Sequence, residues 1–382
     1  MKKINAVIFG ATGSIGKSTL SIISKYQNLI NLEGITCNSN LDKLIEIAKK
    51  YKVKKIGFNE NSIKKEIKHN LNEFEIFNDL KNFNKIISKK TDIIIYAISG
   101  LVSLNLLLIL LKSGKKIGIA NKECIITLGQ TFNLLSKKYN TEIIPLDSEH
   151  NSIYHLLRQD FGKHKSITIT ASGGPFVHFN QKRLQKVTLT EALKHPIWKM
   201  GKKISIDSAT MMNKALELIE AKYLFNFKPN EISAVIHPQA VVHALINYEN
   251  GISTAILNEP DMRIPISSVF FNFNEYSFKK NIDLTKYQNL EFIKIDKKKF
   301  PAINLGAQVM KMGGIAPHAF NYLNELLVDL FLKNKINFID IVKLNEINLD
   351  RVFNKNSNIT NPQLIDISNI NLWIDKNLYI GS

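Results

Sequence analysis

Residues 4–16 read Ile4-Asn5-Ala6-Val7-Ile8-Phe9-Gly10-Ala11-Thr12-Gly13-Ser14-Ile15-Gly16, an apolar run followed at once by three glycines spaced three apart. The run has the composition of a strand and a helix opens near Ile15, so the glycines occupy the turn between them. Glycine there permits a tight bend and lets backbone N–H groups approach a pyrophosphate at the helix N-terminus. A purely structural turn is the competing reading of the loop by itself. Its placement after the first strand of an alternating series favours a dinucleotide.

That series continues outward: 32–36 then helix 41–51, 92–98 then helix 104–111, with further strands at 116–120 and 142–146. Apolar strands alternating with amphipathic helices predict an α/β fold, here a Rossmann-like doubly wound parallel sheet over 1–146. The second strand runs into Cys37-Asn38-Ser39-Asn40, where an NAD enzyme carries an acid for the ribose hydroxyls. Without that carboxylate nothing repels a 2′-phosphate, which favours NADPH, although no Arg fills the place.

Past residue 146 the texture changes. Residues 147–271 mix strands and helices, including a hairpin of 241–248 and 252–257 around Glu249-Asn250-Gly251, and predict a central α+β catalytic domain. A polar connector covers 272–298. Helical spacing in 303–310 and 319–332 makes 299–382 a small C-terminal helical bundle.

Three clusters carry chemistry. Asp147-Ser148-Glu149-His150 follows the buried run 143–146, where α/β proteins place their reactive groups. If the segment is extended, Asp147 and Glu149 share one side. With Glu217 they form an all-oxygen ligand set suited to Mg²⁺ or Mn²⁺ rather than zinc. Helix capping is the alternative use of the two acids. Ser172-Gly173-Gly174 offers a hydroxyl and exposed amides. The block 195–221 reads as an aromatic loop, a strand, and a polar-faced helix from about Ser208, which sets Asn213, Lys214 and Glu217 on one side. Ser172, Ser208, Asn213 and Lys214 together would satisfy a phosphate monoester, while each serine also suits an N-cap or a turn. Trp198, between His195-Pro196 and Gly201, fits a lid over 195–203 that expels water and equally a core anchor.

The chain has 382 residues, 45% hydrophobic and 22% charged, with a formal net charge of +18. Such a charge raises nucleic acid as a partner, but the lysines are spread end to end with no basic arm, so none is expected. A basic pocket for an anionic metabolite is. Two cysteines, Cys37 and Cys124, are too few for a disulfide framework. No apolar stretch is long enough to span a bilayer and the N-terminus reads as a strand rather than a cleavable signal, so a cytoplasmic enzyme without a membrane partner is expected.

Taken in order, Gly10 to Gly16, Ala120-Asn121-Lys122-Glu123, Asp147-Ser148-Glu149-His150, Ala171-Ser172-Gly173-Gly174-Pro175-Phe176, the 195–221 block, His237-Pro238-Gln239 and Pro260-Asp261-Met262-Arg263 resemble the 1-deoxy-D-xylulose 5-phosphate reductoisomerase family. The resemblance implies a homodimer that rearranges and reduces this sugar phosphate to 2-C-methyl-D-erythritol 4-phosphate for isoprenoid synthesis, with NADPH and Mg²⁺, Mn²⁺ or Co²⁺. It implies that Asp147, Glu149 and Glu217 hold the metal, with Lys122, Glu149 and Glu217 catalytic. Lys122, Ser148 and Glu149 would meet the substrate's oxygens, and Ser172, Ser208, Asn213 and Lys214 its phosphate, with His195, Trp198 and Met200 in the closing loop. Cofactor contacts fall on Thr12, Gly13, Ser14, Ile15, Asn38, Ser39, Asn40, Asn121, Glu123 and Gly201. The chain departs from the family pattern at Asn38, where glycine is usual, and at Ala240, where serine is usual. A different NADPH dehydrogenase is the alternative reading, and it would need no metal.

Overall fold

The computed structural model describes residues 2–62, 71–197, 201–271, 281–356 and 359–381. The chain divides into two compact units, one of Met1–Cys124, Thr131–Tyr154 and Asp261–Asn281, the other of Ile125–Gln130, His155–Pro260 and Ile282–Ser382.

The first unit is built on strands β1 (Ile4–Phe9), β2 (Ile30–Thr36), β3 (Lys55–Gly57), β4 (Glu75–Phe77), β5 (Ile93–Tyr96), β6 (Lys116–Ile119) and β7 (Glu142–Pro145). They form one parallel sheet in the order β4-β3-β2-β1-β5-β6-β7. Ala6, Val7, Ile8 and Phe9 are all 0% exposed. Because successive side chains point to opposite faces, β1 is covered on both, as a parallel strand must be. Helices α1 (Ser14–Lys25) and α2 (Leu41–Tyr51) bury Thr19, Leu20, Ile22, Ile23 and Leu41, Leu44, Ile45, Ala48, the helical spacing of an apolar face. The chain leaves β1 toward β2 on one side and returns with β5 on the other, so the strand order reverses between β1 and β5. That switch point opens a crevice at the carboxyl ends of the strands. The alternating pattern predicted five of these strands; β3 and β4, three residues each, were not predicted.

The second unit holds a four-stranded sheet, β11-β10-β8-β9, from β8 (His164–Ala171), β9 (Ile232–Ile236), β10 (Val242–Tyr248) and β11 (Ser253–Leu257). The β10–β11 pair is the expected antiparallel hairpin, whereas β8 and β9 run parallel. Helices Ala302–Met312, Ala316–Leu332, Asp340–Asn356 and Leu364–Asn377 follow. A Cβ on Gly306 would lie 2.8 Å from the Ala215 Cβ, so the helix Met212–Phe225 packs closely on Ala302–Met312. The strand expected before Ser208 is instead a helix, Lys202–Ala209, and the next helix begins at Met212 rather than near Ser208. Ile204-Ser205-Ile206 alternates like a strand, but the Ser205 hydroxyl donates back to the Gly201 carbonyl at 3.1 Å, and Ile206 and Ala209 join Phe176, Leu327 and Phe331 in one core. Met211, at φ 62°, makes the left-handed corner between the two helices.

Two predictions follow from this packing. Gly16 has no room for a side chain: a Cβ would sit 2.4 Å from the Gly10 carbonyl oxygen and 2.6 Å from Ala11 backbone atoms. Gly16→Ala should therefore cost about 3 kcal/mol in chemical denaturation, and a loss below about 1 kcal/mol would mean that the turn is not close-packed. His318 is 0% exposed; its Nε2–H donates to Asn371 Oδ1 at 2.7 Å, leaving Nδ1 to accept from the Thr127 hydroxyl at 3.1 Å. Burial lowers its pKa from 6.5 to about 4. A depressed imidazole pKa means the unfolded chain takes the proton first, so stability is lost as pH falls from about 6.5 toward 4. Between pH 7 and pH 5 the wild-type chain should lose about 2 kcal/mol more than His318→Gln; parallel pH profiles would contradict the buried neutral histidine.

Candidate active site

At the end of β1 the turn is pinned from both sides. Ala11 N–H donates to the Thr36 carbonyl at 2.7 Å and Gly10 N–H to Thr36 Oγ1 at 3.1 Å. Gly10 takes φ +93°, and a Cβ there would lie 2.4 Å from the Ala97 carbonyl oxygen. Gly13 differs: its φ of −76° suits any residue, and a Cβ would meet nothing nearer than 3.4 Å. The protein itself does not require glycine at this position. The space it leaves lets a ligand approach the backbone. Gly13 is the N-cap of α1, with no side chain to cap the helix and no acid in its first turn, so the leading N–H groups and the helix dipole are left for an anion beside Thr12, Ser14 and Ile15. A dinucleotide pyrophosphate fits this cradle.

After β2, Asn38, Ser39 and Asn40 are exposed, and Asn40 Oδ1 caps α2 by accepting the Lys43 N–H at 3.2 Å. Asn121 is only 1% exposed and its amide is fully used: Nδ2 donates to the Ile98 and Gly100 carbonyls at 2.6 and 2.8 Å, and Oδ1 accepts Cys124 N–H at 2.7 Å. It clamps the turn after β5 to the helix Lys122–Leu128, whose first turn carries Lys122 and Glu123.

Lys122 Nζ lies 3.0 Å from Asp147 Oδ2, with both side chains mostly covered. His150, fully buried, places Nδ1 3.4 Å from Asp147 Oδ1. Asp147 and Glu149 are not on an extended segment as expected. A helix starts at Ser148, and the Glu149 N–H donates to Asp147 Oδ1 at 3.3 Å, so Asp147 caps the helix as the alternative reading had it. The helical turn brings Ser148 Oγ to 2.5 Å from Glu149 Oε2, a donor that orients that carboxylate. Asp147 and Glu149 are thus two half-buried oxygen donors fixed by neighbours, a set compatible with a hard divalent cation.

In the second unit the Ser172-Gly173-Gly174 turn follows β8, with Gly173 and Gly174 at φ +85° and +65°. A Cβ on Gly174 would lie 2.8 Å from the Ser208 carbonyl oxygen, so this turn rests on the end of the helix Lys202–Ala209. Ser208 is the penultimate residue of that helix, not the helix start expected for it. His195 Nδ1 accepts the Ile197 N–H at 3.2 Å, which leaves the proton on Nε2, 3.0 Å from Ser172 Oγ. Burial lowers the His195 pKa to about 4, so the ring is neutral and donates to Ser172, whose own hydroxyl proton is free to point to an anion.

One corner beyond Ser208, the helix Met212–Phe225 presents Asn213, Lys214 and Glu217 on one side, as expected. Glu217 is 1% and Lys214 4% exposed; the Lys214 ammonium and the Asn213 amide both hold the Glu217 carboxylate. Gly201 caps the helix Lys202–Ala209 with open space where a side chain would be. Trp198 and Met200, assigned to the closing loop, lie outside the described residues. A further buried cluster escaped the sequence reading: Asp207, next to Ser208, accepts from Lys203 Nζ at 2.7 Å and from Asn324 Nδ2 at 2.8 Å. The i, i+4 spacing of Lys203 and Asp207 was its only local signal; Asn324 lies far along the chain.

Three family models match: 1-deoxy-D-xylulose 5-phosphate reductoisomerase over residues 6–129, the C-terminal domain of the same family over 143–225, and the DXP reductoisomerase C-terminal domain over 257–376. The chain is 38% identical over 352 residues to the 1-deoxy-D-xylulose 5-phosphate reductoisomerase of Wolbachia pipientis wMel, covering 91% of this chain and 89% of that one. It is 36% identical to that of Thermoanaerobacter pseudethanolicus, covering 99% and 98%. A crystal structure of DOX-P reductoisomerase in complex with NADPH, fosmidomycin and magnesium superposes with a TM-score of 0.88 at 34% identity, covering 98% of this chain and 96% of that one. The Zymomonas mobilis enzyme in complex with NADPH gives 0.87 at 32%, covering 97% of each. With the matches spanning nearly its whole length, the chain belongs to the 1-deoxy-D-xylulose 5-phosphate reductoisomerase family.

Proposed function

We propose that the chain converts 1-deoxy-D-xylulose 5-phosphate to 2-C-methyl-D-erythritol 4-phosphate with NADPH and Mg²⁺ or Mn²⁺, acting as a cytoplasmic homodimer. Among the described residues no helix is long and apolar enough to cross a membrane. The observation that carries the reading is the turn of Asn213, Lys214 and Glu217, with Lys214 and Glu217 buried. It supplies a cation and amide for a phosphate and a carboxylate for a metal within one helical turn, which a substrate with a phosphate at one end and chelating oxygens at the other requires.

In this reading Asp147, Glu149 and Glu217 hold the cation, which when bound polarises the substrate carbonyl and offsets the oxygen charge of the rearrangement. NADPH supplies the hydride that reduces the resulting aldehyde. The protein's own groups do the rest. The first-turn N–H groups of α1 grip the pyrophosphate, while Ser148 aims Glu149 and Lys122 hydrogen-bonds the reacting oxygens. Ser172, turned outward by the neutral His195, joins Ser208, Asn213 and Lys214 on the phosphate. Binding energy gathered there, away from the reacting carbons, is available for closing the loop between His195 and Gly201 over the substrate.

Without ligands Lys214 and Glu217 neutralise each other; with substrate and metal, the phosphate and the cation replace that internal pair. Lys214→Met should therefore destabilise the ligand-free protein by about 3 kcal/mol, since it leaves a buried charge, and adding Glu217→Gln should recover most of the loss. Purely additive losses in chemical denaturation would contradict a coupled pair. Function is tested by NADPH oxidation with 1-deoxy-D-xylulose 5-phosphate. Activity should vanish with a chelator and return with Mg²⁺ or Mn²⁺, and Glu217→Gln should lower turnover by about 1,000-fold or more with an unchanged circular dichroism spectrum. Folded protein that turns over without metal, or not at all, would overturn the reading.

A further inference from the structure

NADPH differs from NADH by one adenosine 2′-phosphate, which in a dinucleotide domain lies just beyond the end of the second strand. The residues there, Asn38, Ser39 and Asn40, are uncharged. Two of the three are also engaged: the Asn38 carbonyl accepts Asn59 N–H at 3.0 Å and its Oδ1 accepts Asn59 Nδ2 at 3.3 Å, while Asn40 Oδ1 caps α2. A dianion placed here needs a cation from another part of the same unit.

A groove of about 510 Å³ runs between α1 and α2 and is lined by Lys17, Ser21, Lys43, Glu46, Lys50 and Tyr51, among others. Lys17 and Lys43 stand near the starts of helices that begin at Ser14 and Leu41, the ends facing the carboxyl edge of the sheet. Lys50 lines the same groove about 10 Å further along the α2 axis. The Lys43 ammonium meets Glu46 on its own helix at 2.7 Å, with the two side chains 41% and 65% exposed. An exposed pair of this kind is weak, and the ammonium can turn from it to a stronger anion.

We propose that Lys43, with Lys17 across the groove, is the cation that receives the adenosine 2′-phosphate and gives this chain its preference for NADPH over NADH. The inference rests on the NADPH reading above. Lys43 is three residues past the Asn40 cap, so its flexible stem starts beside the loop that lacks a charge, and the N-terminal dipole of α2 adds to the attraction. The ammonium donates to the phosphate oxygens as a charge-assisted hydrogen bond, and the Ser39 hydroxyl supplies a neutral donor beside it.

The test is equilibrium binding of NADPH and of NADH to the full-length chain without substrate, followed by nicotinamide fluorescence. Lys43→Gln should weaken NADPH binding about ten-fold and leave NADH within two-fold of wild type, and raised salt should shrink the wild-type preference. Lys50→Gln, in the same groove but far from the loop, should change neither. An unchanged NADPH-to-NADH ratio in Lys43→Gln, or an equal loss in Lys50→Gln, would overturn the assignment while leaving the enzyme reading intact. Wild-type protein that binds no NADPH would overturn both.

Discussion

At the end of β1 two stretches of backbone come so close that neither tolerates a side chain between them. Gly10 at φ +93° lies against the Ala97 carbonyl that follows β5, and Gly16, two residues into α1, lies against the Gly10 carbonyl. This double contact holds the turn after β1 on the turn after β5, at the point where the sheet reverses its strand order. It also aims the start of α1 into the crevice. Asn121 extends the same logic one strand further, tying the turn after β5 to the helix that carries Lys122. The anion cradle at Gly13 and the position of Lys122 are therefore consequences of one packing constraint among turns, with the central strands supplying a rigid floor.

The second unit relies on a different device. Charged groups are paired where they are covered: Lys214 with Glu217, both buried, and the buried Asp207, which Asn324 also supports, with the partly covered Lys203. Burying ions is costly, and such pairs add less to stability than apolar residues would. Their retention around Ser208 and Asn213 is understandable if the groups serve ligands. The left-handed corner at Met211 is a further local cost in the same place, joining the helix that ends at Ala209, just past Ser208, to the one whose first turn carries Asn213 and Lys214.

Much of this was readable from residues alone because it is local. The β1 run, the glycine turn and the apolar faces of α1 and α2 announce themselves by spacing, and so does the shared face of Asn213, Lys214 and Glu217. Four features were not readable. Strands β3 and β4 are three residues long, too short for a period of two to stand out from a loop. The segment 202–209 alternates like a strand but becomes a helix because Ile206 and Ala209 are taken up by a core whose other members come from 176–192 and 327–344. Asp147 and Glu149 looked extended, yet Asp147 serves as a cap, since a short acidic side chain before a helix satisfies an N–H there. The His195–Ser172 hydrogen bond joins residues 23 apart and is set by tertiary packing rather than by any local pattern.

The central claim is that hydride passes from NADPH to a carbon skeleton that has been rearranged on this protein. It is tested most directly with NADPH deuterated at both C4 positions of the nicotinamide, supplied with 1-deoxy-D-xylulose 5-phosphate and Mg²⁺, and mass analysis of the product. The account predicts 2-C-methyl-D-erythritol 4-phosphate bearing a single deuterium. Product without deuterium, or a reduced but unrearranged sugar phosphate, would contradict it.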